Sequence, residues 1–289
     1  MHRLYYGCAR LQSDLKQRVI TLCQAESRHG FGVLRLKPDD TIEVFDGRGA
    51  SATGRIVSIL DPRHPFFGKE QGTKQGRDAM SVELMSDVTI DKKPVFSIRA
   101  LTALPRFQSR ADWMLEKLVE VGVDFISPVL RSDHAGSRRY ESHDHGDSDA
   151  VEGWSEKKSH RVLQLFVAAC KQAERNTIPE VRPAPSFSEA VEDSATRGPV
   201  LCCHVADQAP ALWTRLASPS FSKDAFRTER WDSVSVLVGP EGGFSAREVD
   251  VFSRIPNVKF VSLGSTKLRT ETAAVLVSGI LSQWRGSFS

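Results

Sequence analysis

The sequence predicts a two-part chain, with a small β-barrel over residues 1–90 and an α/β domain over residues 91–289. Three observations predict it. The first 90 residues break into short β-type segments separated by turn residues, among them "VIT", "GFGVLRL", "TIEVFDG", "ASATGRIVSIL" and "SVELMSDV". After "DKKP" the pattern lengthens into alternating strands and helices, as a helix-covered parallel sheet requires. Two late apolar runs, "SVSVLVG" and "VKFVSLG", each end in a glycine-bearing turn that leads into a helix. Both turns are therefore expected at the carboxyl edge of one sheet, where α/β proteins hold ligands.

In the barrel, "LKPDD" and "FDGRG" are turn chemistry: Pro38 presets φ, and Gly47 and Gly49 can adopt φ > 0. Pro62 to Asp78, rich in Gly, Lys, Gln and Arg, reads as a long exposed loop. "VFSIRALTA" opens the second part as a strand. Ser109 and Asp112 have capping-box spacing before an apolar stripe of Met114, Leu115, Leu118, Val119 and Val121, which Gly122 ends. "VDFISPVL" is the next strand, and Arg131 to Ser159 reads as an exposed polar loop. "HRVLQLFVAACKQAER" is an amphipathic helix with Val162, Leu165, Phe166 and Ala169 on one face. "PVLCCHV" and "SVSVLVG" suit strands buried on both faces. Ser245 with Glu248 predicts a capped helix over Ala246 to Arg254, and Ala273, Val277, Ile280, Leu281 and Trp284 mark the inner face of the last helix.

Composition narrows the function classes. The chain has 289 residues, 40% of them hydrophobic, and a net charge of only +3, with 13 basic against 11 acidic side chains in the first 90. Any affinity for nucleic acid must then come from local clustering rather than bulk charge. No apolar run reaches the ~20 residues of a membrane span and the start lacks a signal-peptide layout, so a cytoplasmic protein is expected. The five cysteines contain no C-x-x-C pair, which predicts reduced thiols and no zinc site.

The glycine turns carry the candidate chemistry. Gly239, Gly242 and Gly243 permit close backbone approach to a ligand, with Glu241 beside them, although such a turn can also be a plain tight connection. The spacing matches neither dinucleotide nor triphosphate fingerprints, and Glu241 would repel phosphates. In "LGSTKLRTETAAV" the structural reading makes Thr270 the N-cap and Glu271 a partner of the helix dipole. That reading leaves Lys267 and Arg269 unexplained, since positive charge at a helix start is unfavourable unless an anionic partner sits there. Lys171, Gln172 and Arg175 fit a solvated helix end as well as a site. His134, His143, His145 and His160 read as solvated, and Cys202-Cys203-His204 as core packing, since neighbours on a strand face opposite ways.

Taken together, "LVGPEGGFSAREVD", "VSLGSTKLRTETAAV", "ADWMLEKLVEVGVDFISPVL" and "CKQAERNTIPEV" resemble the bacterial 16S ribosomal RNA uridine N3-methyltransferase family of SPOUT-class enzymes. "RHGFGVLRLKPDDTIEVFDGRG" is similar to that family's PUA-like barrel. The resemblance implies a SPOUT-type α/β sheet with a C-terminal deep trefoil knot, S-adenosylmethionine as cofactor, a homodimer, no metal, and 16S ribosomal RNA of the small subunit as substrate. Carried over by position, Gly239, Glu241, Gly242, Gly243, Leu263, Gly264 and Leu268 would line the cofactor pocket. Arg269 and Glu271 would stand beside it, and Arg175 would face the substrate. The chain departs from the family pattern at Lys171, where Glu is common, and at Arg28, which replaces one of two histidines. The expected chemistry places Arg269 or Arg175 on the charge that develops on uracil, with Glu271 orienting Arg269. Arg35, Lys37, Arg48, Arg55 and Gln172 are expected to meet RNA. A ribose 2′-O-methyltransferase and a non-catalytic ribosome-assembly factor are the competing readings.

Overall fold

The computed structural model describes residues 1–7, 10–11, 18–60, 79–131, 154–204 and 209–288. The expected loop at 62–78, most of that at 131–159, and His134, His143 and His145 lie outside the described residues. The chain forms two compact units, Met1–Lys93 with Cys170–Ile178, and Pro94–Ala169 with Pro179–Ser289.

The first unit contains β1 (His2–Tyr5), β2 (Val19–Thr21), α1 (Gln24–Arg28) with a π-helical turn at His29–Val33, β3 (Thr41–Phe45), β4 (Ala50–Leu60), β5 (Ala79–Leu84) and β6 (Thr89–Ile90). Its sheet runs β1-β3-β4-β5-β2, with β6 on β4; only β1 and β3 are parallel. Leu4, Ile20, Ile42, Val44, Ile56, Met80 and Val82 bring β1 to β5 around one core, so the sheet curls about it. Among the described residues, β1 and β2 do not pair to close the barrel. Contrary to the strand expected there, "GFGVLRL" is helical at its start. Phe31 and Leu34, three residues apart, pack on the core from one side of the turn, and Gly30 lies under the Met80 side chain, where a Cβ would meet Cε at 2.8 Å. Gly47 (φ 73°) and Gly49 (φ 101°) take the left-handed conformation that the β3–β4 turn needs.

Cys170–Ile178 is tied to this unit by backbone and charge. Gly49 N–H donates to Asn176 O at 3.0 Å and Ile178 N–H to Gly47 O at 2.9 Å. Arg3, 7% exposed, donates to Glu43 at 2.9 Å, to Cys170 O at 3.0 Å and to the Asn176 side chain. Lys171 Nζ lies 2.7 and 2.6 Å from the two oxygens of Glu26, the second of which also accepts from Tyr5 N–H.

The second unit holds β7 (Ser97–Ala103), α2 (Gln108–Glu120), β8 (Phe125–Arg131), α3 (Glu156–Gln172, whose last turn belongs to the first unit), β9 (Glu180–Val181), β10 (Ala184–Ser186), α4 (Phe187–Ala195) and β11 (Val200–Cys203). α5 (Leu212–Leu216), α6 (Lys223–Glu229), β12 (Ser233–Val238), α7 (Ala246–Ser253), β13 (Val258–Val261) and α8 (Thr270–Gly286) complete it. The sheet order is β10-β8-β7-β12-β11-β13 with β9 on β8, and every pair is parallel. β12 is buried along its whole length, as its uninterrupted apolar run requires. α2 and α8 pack on each other, with α8 against β7 and β12; α4 packs with α7. Ser109 is not the cap of α2: Phe107 holds the cap position without a side-chain bond, and Asp112 instead accepts from Gln108 (2.8 Å) and Arg161 (2.5 Å). The Ser245–Glu248 capping box is present, with bonds of 2.8 and 3.1 Å.

Candidate active site at the carboxyl edge of the sheet

Because all strands of the second unit are parallel, the turns after β7, β11, β12 and β13 leave from the same edge. β12 stops at Val238, and Gly239 follows with the Phe244 ring lying over it; an added Cβ would stand 3.1 Å from that ring. Pro240 O accepts from Gly243 N–H at 2.8 Å, closing a turn in which Gly243 takes φ 80°. Glu241 and Gly242 are exposed. The second turn is held by Ser262, whose hydroxyl bonds Gly264 at both N–H (3.3 Å) and O (3.2 Å), with Gly264 at φ 126°. Both conformations favour glycine, and at Gly243 and Gly264 the position where a side chain would begin faces open space. Bare backbone groups are thus presented to an incoming molecule. Leu263 and Leu268, half-buried, flank the second turn.

The two turns meet. Thr270 Oγ donates a buried 3.0 Å hydrogen bond to Gly239 O, joining the end of β12 to the start of α8. Thr270 is therefore not the N-cap that the sequence suggests. Arg269 occupies the cap position without a side-chain cap bond, and Thr270 is the first helical residue, its hydroxyl turned across to the other turn. Glu271, 7% exposed, does not orient Arg269 either. Its two oxygens accept from Arg110 Nε and Nη2 of α2, at 2.8 Å each. Lys267 and Arg269 are exposed and, among the described residues, form no ion pair. Together the two turns add two solvent-facing cations, Lys267 and Arg269, and one carboxylate, Glu241, to a backbone cradle. Arg110 escaped sequence reasoning. Its signal was available, since a cation in the first turn of a helix opposes the dipole just as Arg269 does.

The other predicted residues distribute as follows. Arg175 and Gln172 belong to the first unit, with Gln172 exposed and the carbonyl of Arg175 accepting from Arg3 at 3.4 Å. Arg35, Lys37, Arg48 and Arg55 are exposed, but they do not form one row. Arg35 and Lys37 precede β3 and Arg48 follows it, so five strand residues, about 17 Å at strand rise, separate the two groups. Arg55 lies within β4 rather than at a turn and pairs with Glu83 at 2.8 Å. Cys202 and Cys203 pack on β11, between β12 and β13; burial pushes the Cys203 thiol up to about 12 and Cys202 well above its ordinary value. Neither is a thiolate nucleophile at neutral pH. The His204 ring sits 6.2 Å from the Phe244 and Phe260 rings, in aromatic packing.

An all-parallel sheet with two joined glycine turns at its carboxyl edge, in one chain with a small curled sheet, defines a two-unit α/β protein built to hold a ligand at those turns. The RNA methyltransferase domain profile matches residues 91–282, and the RNA methyltransferase PUA domain profile matches residues 22–67. The chain belongs to the RNA methyltransferase family. It is 22% identical over 282 residues to ribosomal RNA small subunit methyltransferase E of Buchnera aphidicola (subsp. Acyrthosiphon pisum), covering 96% of this chain and 93% of that protein. To the protein of the same name from Rickettsia conorii it is 23% identical over 247 residues, 84% of this chain and 80% of that one. The fold is shared with a ribosomal RNA small subunit methyltransferase E from Neisseria gonorrhoeae, solved bound to S-adenosyl methionine: TM-score 0.70, 23% identity, 98% of this chain and 97% of that one.

Proposed function

We propose that this protein methylates N3 of a uridine in small-subunit (16S) ribosomal RNA, using S-adenosylmethionine held by the joined glycine turns. The Thr270–Gly239 hydrogen bond carries this reading, because it makes one cradle of two segments 31 residues apart. The names of the Buchnera and Rickettsia relatives support the substrate, and the Neisseria complex supports the cofactor. The cradle suits the cofactor chemically: bare backbone at Gly243 and Gly264 for close approach, half-buried Leu263 and Leu268 for apolar surface, and Glu241 as a carboxylate near a cationic ligand. S-adenosylmethionine supplies a methyl group activated by its sulfonium charge.

The protein's own residues supply the rest. The N3 proton of uracil must pass to solvent ahead of methyl arrival, and the negative charge left on the ring spreads onto O2 and O4 until the new N–CH3 bond forms. Arg269, exposed and without an ion pair among the described residues, is the cation for that charge, with Arg175 as the second candidate. The base must be unpaired to present its Watson–Crick edge.

A deep trefoil knot fits the path of the chain: β13 is an edge strand, yet α8 lies against β7 and β12, and its first residue bonds the turn that leaves β12. A homodimer fits the exposure of Trp113 (45%) on α2 and of Leu276 (40%) on α8, apolar side chains that a second copy would cover. Residues 1–90 form the RNA-holding part and 91–289 the catalytic part, except that Cys170–Ile178 packs with the first unit, and Arg35, Lys37 and Arg48 meet phosphates. Among the described residues no helix is long and apolar enough to cross a membrane, which accords with a cytoplasmic enzyme.

The test is nucleoside mass spectrometry of ribosomal RNA from cells lacking the protein. One missing N3-methyluridine, restored by the purified protein with S-adenosylmethionine, is the expected result. A methyl missing from a ribose instead would select the 2′-O reading, and an unchanged profile would select an assembly role.

A further inference from the structure

We propose that Arg110 is a positioning residue for methyl transfer: by clamping Glu271 it holds the first turn of α8 against the carbonyl of Gly239 and so sets the width of the cofactor cradle. The inference rests on the reading above for the identity of the ligand, but the clamp itself rests on geometry.

Local physics does not explain Arg110. It is the third residue of α2, whose first turn contains no acidic side chain and whose cap residue, Phe107, makes no side-chain cap bond. A cation there faces the positive end of the helix dipole. What offsets this is Glu271, 161 positions away, met by two parallel 2.8 Å bonds in the fork geometry that guanidinium and carboxylate share. Glu271 is buried and adjoins Thr270, whose hydroxyl reaches Gly239 O at 3.0 Å. The chain of contacts runs from α2 through Arg110 and Glu271 to Thr270, and ends on the turn proposed to hold the methyl donor. With both its oxygens taken by Arg110, Glu271 acts as an anchor and not as the base that removes the N3 proton.

The far end of α8 supplies a control. Arg285 there donates to Gly122 O at 3.0 Å and to Asp124, an anchor of similar chemistry away from the turns. If the Arg110 pair merely stabilised the fold, the two ends would be equivalent in function. If it positions the cradle, only the Arg110 end controls cofactor affinity.

The experiment compares the full-length wild type with Arg110→Ala, Arg110→Lys and Arg285→Ala, by calorimetric titration with S-adenosylmethionine, steady-state transfer to small ribosomal subunits, and amide exchange without cofactor. Arg110→Ala is expected to raise Kd and KM for the cofactor about tenfold or more, with kcat at saturation within about threefold. Arg110→Lys, which replaces the planar two-nitrogen fork with a single compact ammonium, should recover only part of the affinity. Arg285→Ala should lower Tm and leave Kd within about twofold. Exchange at Ala273, whose N–H bonds Arg269 O, and at Gly243, whose N–H bonds Pro240 O, should quicken in Arg110→Ala. A Kd for Arg110→Ala equal to wild type, or an equal loss in Arg285→Ala, would overturn the proposal. If Arg110→Ala does not fold, the lysine variant decides by the same criteria. A wild type that binds no S-adenosylmethionine would sink the proposed function, and unchanged exchange at those two amides would then sink the clamp separately.

Discussion

The start of α8 and the segment Cys170–Ile178 look alike in sequence, each crowding cations beside a helix end, yet their charges have opposite fates. In Cys170–Ile178, Lys171 closes on Glu26, and Arg3 reaches in to Cys170 O and Asn176. At α8 only Glu271 is consumed, by Arg110, while Lys267 and Arg269 face solvent. A cation with an internal partner has an account within the fold; one set beside a helix start with no ion pair among the described residues is available to an outside anion. The difference ranks Arg269 above Lys171 as a functional group, a ranking that the first two of the following measurements can break and that the others extend to cations elsewhere in the chain.

The largest effect belongs to Arg269. Arg269→Ala should lower methyl transfer about 10²- to 10³-fold at saturating substrates, the usual loss when one donor to a developing anion is removed, with cofactor affinity unchanged. Single-turnover kinetics would measure this, and a rate like that of wild type would remove Arg269 from the mechanism. Glu26→Ala should instead be a stability mutant. It strands Lys171, whose side chain is 16% exposed, and the Tyr5 N–H, at a cost of about 2–4 kcal/mol in denaturant unfolding. Transfer by the folded fraction should be little changed, and a rate loss rivalling that of Arg269→Ala would erase the contrast between the two regions.

Among the exposed cations of the first unit the effects are smaller. Arg35→Ala and Lys37→Ala should each reduce the salt slope of RNA binding by about 1. Arg55→Ala should reduce it less, because Arg55 already holds Glu83 at 2.8 Å. Equal slopes for all three would mean that the Glu83 pair does not compete with phosphate.

Lys158 gives the smallest expected effect. Burial, reinforced by Arg161, lowers its pKa from 10.5 to about 8. Between those values the unfolded chain binds the proton and the native protein does not, so stability rises with pH across that window; below about 8 the full cost of charging a buried amine is present. Lys158→Met should flatten this part of the pH profile in thermal melts, and an unaltered slope would contradict the assignment.

How much was legible in the sequence follows from the range of the interactions. The Ser245–Glu248 cap, the buried run of β12 and the glycine turns are encoded within a few residues, and the structure has them where the sequence indicates. "GFGVLRL" misled because its spacing of Phe31, Val33 and Leu34 satisfies a strand and a helical turn alike, and only packing against the core decides. Thr270 and Ser109 misled for a related reason, since a hydroxyl at a helix start caps only if no better acceptor or geometry is at hand. Thr270 finds Gly239 O instead. The pairs Arg110–Glu271, Lys171–Glu26 and Arg3–Glu43 join residues 40 to 161 positions apart, beyond any local pattern.

The central claim is that the turns at Gly239–Gly243 and Leu263–Leu268 together hold the methyl donor. Calorimetric titration of S-adenosylmethionine into wild type and Gly264→Val tests it most directly, because valine is strained at φ 126° and projects into the open space beside the backbone. Saturable binding at one site per chain, weakened about a hundredfold or more by Gly264→Val, is expected. Equal affinity in both proteins, or no binding by the wild type, would contradict the account.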